Sequence, residues 1–499
     1  MNAKSSQIIN YVSEKNAIIN QNAVQLLSGV ENFESVLDRI LETNFIVDEK
    51  QVEKYLVEET KLIKKEKKEF NEKGKEFNAK AENIEADFRI LDEFDVTGKS
   101  SSEGKVENFL EFFHDKFNFL KTSFDNRSGF NPKPLKRLNA FQKGDELDFI
   151  GMVFEKRKTK NGHLTFKIED LEGEVTVLVL KDDEKLLIEA QRILLDDVIG
   201  FKGVKGNNDF IILKEFMFPD FPLRQQKKGK RELNLCITSD IHIGSKLFLQ
   251  KQFERFIEWI NGRIGDEKEI EKVGKIKYLI IAGDLVDGIG VYPEQINELS
   301  VADINEQYNI FIEYIKQIPK HIEIFIAPGN HDAVRRADPQ PALPREFLKE
   351  LYDMPNVHMI GSPSMIEIEE LKVFVYHGCS LHDLYSSLTG LDSKKPEKAI
   401  IEALKRRSVG FTFGLRQPYV PEKKDFNVLR EIPDIYIGGD MHHNGYGTYR
   451  GCLIVNNGTW QDQTEFQTKM GHVATPGIVP VIELNSMKII ENYFYKKED

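Results

Sequence analysis

The chain has 499 residues, 40% of them hydrophobic and 30% charged, which predicts two to four globular domains and argues against a single ordinary domain. A membrane protein is not expected, because no apolar run reaches roughly 18 residues and the first residues lack the apolar core of a signal peptide. The net charge of -12 argues against a protein that coats nucleic acid, and three widely spaced cysteines predict a reducing cytoplasm, with neither a disulfide framework nor a structural zinc site.

The first part of the chain alternates helical periodicity with charged sequence. Residues 1–60 repeat apolar positions at helical spacing, which predicts a small helical N-terminal module. Residues 61–104 are dense in lysine and glutamate and end in glycine and serine, so they predict a charged flexible linker. Residues 105–139 return to helical spacing with several phenylalanines, which indicates a helical lead-in to the next domain.

Residues 140–222 change to short apolar strands bounded by turn residues. A helical insert at 184–194 separates the third strand from the fourth. Five or so strands with one helix after the third is the plan of an OB barrel. Such barrels often bind single strands, and lysines near residue 158 offer positive charge, but a packing or partner role is the favoured alternative. Residues 223–231 are rich in charge and predict a short linker.

From residue 232 to residue 499, five apolar strands each end in a polar cluster. Helical stretches lie between several of these strands, which predicts an α/β fold of layered sheets flanked by helices. Ligands bind at the carboxyl ends of strands in such folds, so the clusters are expected to meet at one site. The clusters are Asp240 with His242, Asp284 with Asp287, Asn330 to Asp332, His377, and Asp440 with His442 and His443.

The residue types in these clusters are those that bind divalent metal ions. Aspartate, histidine and asparagine without cysteine suit Mn²⁺, Mg²⁺, Fe²⁺ or Zn²⁺. The candidates are too many for one ion and predict two, about 4 Å apart, that stabilise both the attacking and the leaving oxygen of a phosphoester. Asn330 offers an oxygen ligand, and His331 can give a proton to a leaving oxygen. Arg335 and Arg336, just past the same turn, are expected to bind the phosphate.

Taken together, these motifs resemble the signature of calcineurin-like metallophosphoesterases over residues 232–499. The resemblance implies that Asp284 bridges two metal ions, that His331 is the acid near the leaving group, and that Asp332 orients His331. The implied ligands of the first ion are Asp240, His242 and His442, and those of the second are Asn330, His377 and the residue at position 440.

Position 440 departs from the resembled pattern, which has histidine where this chain has Asp440. A carboxylate can still bind the second ion, so we expect a ligand exchange with an altered metal preference. Loss of the second site is the competing interpretation. A shift of the ligand role to His443 is a further, less favoured one.

The order of the domains restricts the resemblance to a smaller group of proteins. A helical module, a charged linker, an OB barrel and a calcineurin-like domain resemble the B subunits of replicative DNA polymerases, and most of all the small subunit of archaeal family-D polymerases. Supporting stretches are residues 96–104, 159–163, 197–200, 218–222 and 457–461. This resemblance implies 3′→5′ proofreading of the DNA primer 3′ end, a dinuclear site of the Mn²⁺ type, and a large catalytic polymerase subunit as partner.

Two other functions stay open at this stage. A scaffold subunit would keep the fold and stabilise the large subunit without chemistry, but here only Asp440 departs from the ligand pattern. A free-standing metallophosphoesterase or repair nuclease would not need the helical module and the barrel in front of the catalytic domain.

Overall fold

The computed structural model describes residues 3–52 with gaps, residue 77, and residues 79–495 except positions 126, 208, 209 and 470. The chain forms two compact units, residues 1–77 and residues 78–499. Among the described residues, no helix combines the length and the apolar character needed to cross a bilayer. Residues 53–76, which include most of the predicted charged run, lie outside the described residues.

Within the described residues of the first unit, two helices and a two-stranded parallel ladder have defined bounds. Buried apolar side chains such as Ile8, Val12 and Leu27 form its core. The side chain of Asn20 accepts a hydrogen bond from the Ala23 N–H at 2.8 Å and so caps the second helix. The elements are α1 (Ala3–Glu14), β1 (Ile18–Ile19), α2 (Gln21–Leu27) and β2 (Ile46–Val47).

A closed five-stranded barrel follows a helix and a short 3₁₀ turn, and it confirms the predicted barrel. Along its second strand, Leu164, Phe166 and Ile168 are buried while the residues between them face outward, as a strand with one buried face requires. The predicted helical insert is present after the third strand. The elements are α3 (Val106–Thr122), β4 (Glu146–Lys158), β5 (Leu164–Glu169), β6 (Glu174–Val179), α4 (Glu184–Ala190), β7 (Val198–Lys205) and β8 (Phe210–Met217).

The rest of the chain builds two six-stranded sheets that pack face to face over one apolar core. The first sheet has the order β12-β11-β10-β9-β18-β19. Its central strands are parallel and buried along their whole length, which is why they read as continuous apolar runs. Its strands are β9 (Asn234–Thr238), β10 (Ile276–Ala282), β11 (Glu323–Ala327), β12 (Val357–Met359), β18 (Ile478–Glu483) and β19 (Lys488–Tyr493).

The second sheet has the order β16-β17-β15-β14-β13-β3, and helices cover the outer faces of both sheets. Its strands are β3 (Phe88–Ile90), β13 (Ser364–Ile368), β14 (Leu371–Val375), β15 (Ile435–Gly438), β16 (Gly445–Tyr449) and β17 (Cys452–Asn456). The helices are α5 (Gln250–Ile260), α6 (Glu267–Val273), α7 (Ile304–Ile315), α8 (Arg345–Tyr352), α9 (Leu381–Ser387), α10 (Pro396–Arg406) and α11 (Glu465–Lys469).

The prediction of a flexible linker over residues 61–104 is wrong for its second part. Strand β3 lies in this segment and pairs antiparallel with β13 at the edge of the second sheet. Phe88 and Ile90 pack against the core of the two sheets, an alternation that the charged neighbours conceal in the sequence. Farther on, the buried Asp95 carboxylate accepts a hydrogen bond from the Gly361 N–H at 2.7 Å. The segment therefore belongs to the folded domain that contains the two sheets.

The predicted linker at residues 223–231 is also packed against the sheets. The guanidinium of Arg224 lies 2.8 Å from the Asp434 carboxylate. The Gly229 N–H donates to the Leu484 carbonyl at 2.8 Å. The charged residues of this segment therefore make contacts with the domain that contains the two sheets.

A buried ionic network joins the barrel to the domain that contains the two sheets. The Arg406 side chain, only 3% exposed, places Nε 3.1 Å from Asp197 Oδ1, in the loop before β7. The same guanidinium contacts Glu402 on α10 at 2.8 Å and donates to the Arg192 carbonyl at 2.5 Å. Its Cζ lies 4.7 Å from the centroid of the Phe218 ring. This one cation therefore contacts both the barrel and the domain of the two sheets.

Asp338 is a buried carboxyl group that makes stability depend on pH. Tyr376 donates to Asp338 Oδ2 at 2.7 Å, but burial dominates and raises the pKa of Asp338 to about 7. The folded-state pKa of Asp338 lies above its ordinary value of 3.8. The stability contributed by the neutral form is therefore complete below pH 3.8 and is lost as the pH rises through about 7.

We expect Asp338→Asn to remove this loss. When the pH is raised from about 5 to about 8, the free energy of unfolding of the chelator-treated variant should rise by roughly 2–3 kcal/mol relative to that of the wild type treated in the same way. Urea unfolding at both pH values measures the difference. Parallel pH profiles for the two proteins would contradict the expectation.

Candidate metal centre

The polar clusters predicted from the sequence meet at the carboxyl ends of five strands. Strands β9, β10 and β11 end at this edge of the first sheet, and β14 and β15 end beside them in the second. Of the predicted site residues, the structure brings together Asp240, His242, Asp284, Asn330, His331, His377, Asp440 and His442.

The first donor cluster is formed by Asp240, His242 and His442, all of them buried. The Nε2 atoms of His242 and His442 lie 3.0 Å apart. His442 Nε2 lies 3.4 Å from Asp240 Oδ1, and His242 Nε2 lies 3.7 Å from Asp284 Oδ2. Two imidazole nitrogens and two carboxylates thus converge on one small space.

The second donor cluster is centred on His377. Its Nδ1 lies 2.7 Å from the Ala282 carbonyl, which can only accept, so Nδ1 carries the hydrogen. Its Nε2 is buried without a hydrogen-bond partner and lies 3.3 Å from Asp284 Oδ2 and 3.8 Å from Asp440 Oδ1. A ligand nitrogen that is buried and unpartnered is what a bound cation would satisfy.

Asp284 lies between the two clusters. Its Oδ2 faces His242 on one side and His377 on the other, while its Oδ1 accepts from the His331 N–H at 2.8 Å. Burial opposes ionisation of Asp284, yet the neighbouring His377 and His331 imidazoles hold its pKa well below its usual range. Asp284 in turn raises the pKa of His377 well above its usual value, against the effect of burial. The centre is therefore a negative, buried pocket, and its oxygen and nitrogen donors fit two divalent ions.

The backbone at this edge is held in unusual conformations. Five candidate ligands lie in the left-handed region, where a non-glycine residue costs on the order of 1–3 kcal/mol. Two neighbouring glycines are required by close approach, because a Cβ at Gly329 would lie 2.1 Å from Asp284 Oδ1 and one at Gly439 would lie 2.6 Å from Asp240 Oδ2. The five residues are Asp240 (φ 51°), His242 (φ 54°), Asp284 (φ 51°), Asp440 (φ 62°) and His442 (φ 53°).

His331 lies at the edge of the first cluster and is partly exposed. Its ring centroid is 4.7 Å from that of His242, in an edge-on arrangement. Its Nδ1 donates to the Asp287 carbonyl at 2.8 Å, which leaves Nε2 available at the mouth of the site. The ring is therefore oriented with one nitrogen fixed and the other free.

The predicted role of Asp332 as the residue that orients His331 is wrong. Its buried carboxylate accepts instead from the backbone N–H groups of Gly329 at 2.9 Å and Leu285 at 3.2 Å. Burial and the nearby Asp284 raise the pKa of Asp332 to about 7. Asp332 therefore fixes the turn that carries His331, while the backbone of Asp287 orients the ring.

The two predicted phosphate-binding arginines differ. The Arg335 guanidinium lies 3.1 Å from the buried Glu422 carboxylate and also donates to the Pro339 carbonyl at 2.8 Å, so the prediction is wrong for this residue. The Arg335 guanidinium is instead paired with an internal carboxylate more than 80 residues away in sequence. Arg336 is exposed, and its guanidinium makes no hydrogen bond or ion pair with the described residues.

Asp440 has a partner that the motifs did not indicate. Its Oδ2 lies 2.9 Å from His382 Nε2, on α9. His443, considered as a substitute ligand, instead donates from Nδ1 to the Val473 carbonyl at 2.7 Å and faces away. That alternative is wrong.

Asp287 belongs to one of the predicted polar clusters, and the structure gives it a supporting role. Its Oδ1 lies 3.0 Å from His242 Nδ1, and Gln295 holds the other oxygen of this carboxylate at 2.9 Å. Gln467 lies 2.7 Å from His442 Nδ1. The two glutamines were missed, and nothing in the local sequence indicates them.

Comparison with known proteins agrees with this geometry. Residues 233–444 match the calcineurin-like phosphoesterase family. The DNA polymerase II small subunit of Methanocaldococcus jannaschii is 40% identical over 419 residues, which are 84% of this chain and 70% of that protein. The protein of the same name from Methanothermobacter thermautotrophicus is 35% identical over 81% of this chain and 83% of its own length.

A third protein of this name, from Thermoplasma acidophilum, is 33% identical over 493 residues, 98% of this chain and 93% of its own length. The family resemblance inferred from the motifs is thereby confirmed, including the phosphoesterase domain that places this chain in a hydrolase family with divalent metal ions. The chain belongs to the family of archaeal DNA polymerase II small subunits.

Proposed function

We propose that this chain is the small subunit of a replicative DNA polymerase and acts as its 3′→5′ proofreading exonuclease, hydrolysing the terminal phosphodiester of a primer strand. The observation that carries the proposal is the pair of donor clusters that share Asp284 Oδ2, with the free Nε2 of His331 beside them. A two-metal site of this kind suits phosphodiester hydrolysis, because it stabilises both the attacking and the leaving oxygen.

In the proposed centre, divalent ions supply charge neutralisation of the phosphate and a nucleophile at neutral pH. Mn²⁺ is the favoured ion, with Mg²⁺, Fe²⁺ or Zn²⁺ as alternatives. Asp284 is a ligand in both sites. The other ligands are Asp240, His242 and His442 in the first site and Asn330, His377 and Asp440 in the second.

His331 is the proposed general acid. Its Nδ1–H is fixed on the Asp287 carbonyl, so the protonated ring directs Nε2–H toward the departing 3′ oxygen and becomes neutral when it transfers that proton. Asp287 also holds Nδ1 of His242 and so aims that ligand. Exposed Arg336, near the same turn, is the arginine left to bind the DNA phosphate.

The proposed partners are the large catalytic polymerase subunit and the primer 3′ end, in the cytoplasm at the replication fork. The relatives are named as small subunits, which supports a larger partner. The net charge of -12 supports it as well, because a partner that carries most of the DNA contact relieves this chain of a basic surface.

The test is digestion of a mismatched 3′ primer in Mn²⁺. We expect His331→Gln to slow the reaction roughly 10²–10⁴-fold, because the leaving oxygen loses its proton donor. His443→Gln is the matched control, since this imidazole faces Val473 and should leave the rate unchanged. Metal analysis should find two ions in both variants.

Equal activity in wild type, His331→Gln and Asp284→Ala would contradict the exonuclease and favour a scaffold subunit. Co-purification with the large subunit separates both of these functions from a free-standing phosphoesterase. A chain that digests primers and binds no large subunit would support the free-standing enzyme.

A further inference from the structure

Cys379 lies inside the second donor cluster, although no motif marks it. It follows His377 by two residues, in the turn between β14 and α9, and its side chain is buried. Its Sγ lies 3.3 Å from Asn330 Oδ1. Donor atoms of Cys379, His377 and Asp440 all lie within 4.8 Å of one another.

A second observation points to a ligand in the same space. His377 Nε2 is fully buried and has no hydrogen-bond partner, and it faces the cluster because Nδ1 is fixed on the Ala282 carbonyl. Asp440 Oδ1 lies 3.8 Å from His377 Nε2, and Asp440 Oδ2 lies 2.9 Å from His382 Nε2. The sulfur is therefore placed to add a donor to the second site.

The other two cysteines show what an ordinary buried thiol looks like in this fold. Cys236 and Cys452 lie in strands β9 and β17, and neither belongs to a group of potential metal donors among the described residues. A thiol that touches a ligand amide and lies beside an unpartnered imidazole is a different environment.

We propose that Cys379 is a thiolate ligand of the second metal site and makes that site select thiophilic ions, Zn²⁺, Co²⁺ or Fe²⁺, over Mn²⁺ and Mg²⁺. The inference rests on the dinuclear centre of the proposed function and specifies its cofactor. Coordination replaces the thiol hydrogen, which leaves to solvent as a proton. The donor atoms of Cys379 and His377 lie within 4.8 Å of each other. This span is comparable to the sum of a metal–sulfur bond of about 2.3 Å and a metal–imidazole bond of about 2.1 Å.

The selectivity follows from ligand softness. The first site offers carboxylates and imidazoles, which hold Mn²⁺ and Zn²⁺ alike, whereas a thiolate prefers the softer ions. The two sites are therefore expected to differ, with the thiophilic ion retained in the second while the first exchanges.

Cobalt spectroscopy tests the inference on the full chain. After chelation and reloading with Co²⁺, the wild type should bind two ions and show a near-ultraviolet sulfur-to-cobalt charge-transfer band. Cys379→Ser should lose the band and bind the second Co²⁺ at least tenfold more weakly. Cys452→Ser is the matched control and should keep both the band and the affinity.

A wild type with two bound Co²⁺ ions and no such band overturns the inference without reference to any variant, and so does a band that persists in Cys379→Ser. A thiol that only donates to Asn330 would give this negative result. If primer digestion continues under those conditions, the proposed exonuclease stands and only the thiolate ligand fails. A wild type that binds no cobalt overturns both.

Metal competition gives a second readout. After loading with Zn²⁺ and dialysis against excess Mn²⁺, the wild type should retain one Zn²⁺ per chain, whereas Cys379→Ser should retain little. Equal retention by the two proteins would contradict the proposed selectivity.

Discussion

Asp284→Asn is expected to abolish the dinuclear centre and to lower 3′→5′ exonuclease activity by roughly 10⁴-fold or more, because several kcal/mol of charge stabilisation in the transition state are lost. The carboxylate faces both donor clusters through a single oxygen, and an amide cannot bridge two cations as a carboxylate does. Metal analysis should find fewer than two ions per chain.

The folded state of this variant is expected to persist. The amide oxygen can still accept from the His331 N–H, which is the contact that Asp284 Oδ1 makes in the turn. Glu313→Gln, on the exposed face of α7, removes one negative charge far from the site and serves as the control. Two bound ions and full activity in Asp284→Asn would contradict the proposed bridge.

Arg406→Met is expected to lower the free energy of unfolding by roughly 3–5 kcal/mol, because it leaves the buried Asp197 carboxylate without its cation. Asp197 would lose its ion pair across the barrel boundary, whereas Glu402 would keep its contacts with Arg192 at 2.9 Å and Lys405 at 2.8 Å. Chemical denaturation measures the change. Since the network joins the barrel to the catalytic domain, separate unfolding of the two should become visible in the variant.

Two further variants make this prediction specific. Arg263→Met breaks an exposed ion pair with Glu258 and should cost no more than about 1 kcal/mol. Adding Asp197→Asn to Arg406→Met should recover part of the lost stability, because one unpaired buried charge is removed. A loss for Arg406→Met no larger than that for Arg263→Met would show that the barrel is held mainly by apolar packing.

The sequence predicted those features that depend on periodicity and on local order. The barrel with its helix after the third strand followed from apolar runs and turn residues. The meeting of Asp240, Asp284 and His377 followed from their places directly after buried strands, because parallel strands end at a common edge. In both cases the information lies within a few residues of the feature.

Contacts between distant segments escaped the sequence. The strand at Phe88–Ile90 exists because β13 offers it an edge nearly 280 residues later. Arg335 is held by Glu422, and Asp440 is paired with His382, through contacts that no spacing rule encodes. Asp332 was misjudged because it stands next to His331 in the chain while its carboxylate faces the backbone of another loop.

Five ligand residues of this centre have left-handed backbone conformations. Once the metal ions are gone, these conformations are strained without any metal binding that requires them. Glycine and asparagine adopt that conformation with the least strain, so in a chain without metal they stabilise the fold at these positions. A descendant that retained only a scaffold role would be expected to accumulate them there, whereas β-branched residues would stay excluded. Glycine or asparagine at the ends of these strands would then mark the position of a former metal centre in a sequence that had lost every histidine of the site.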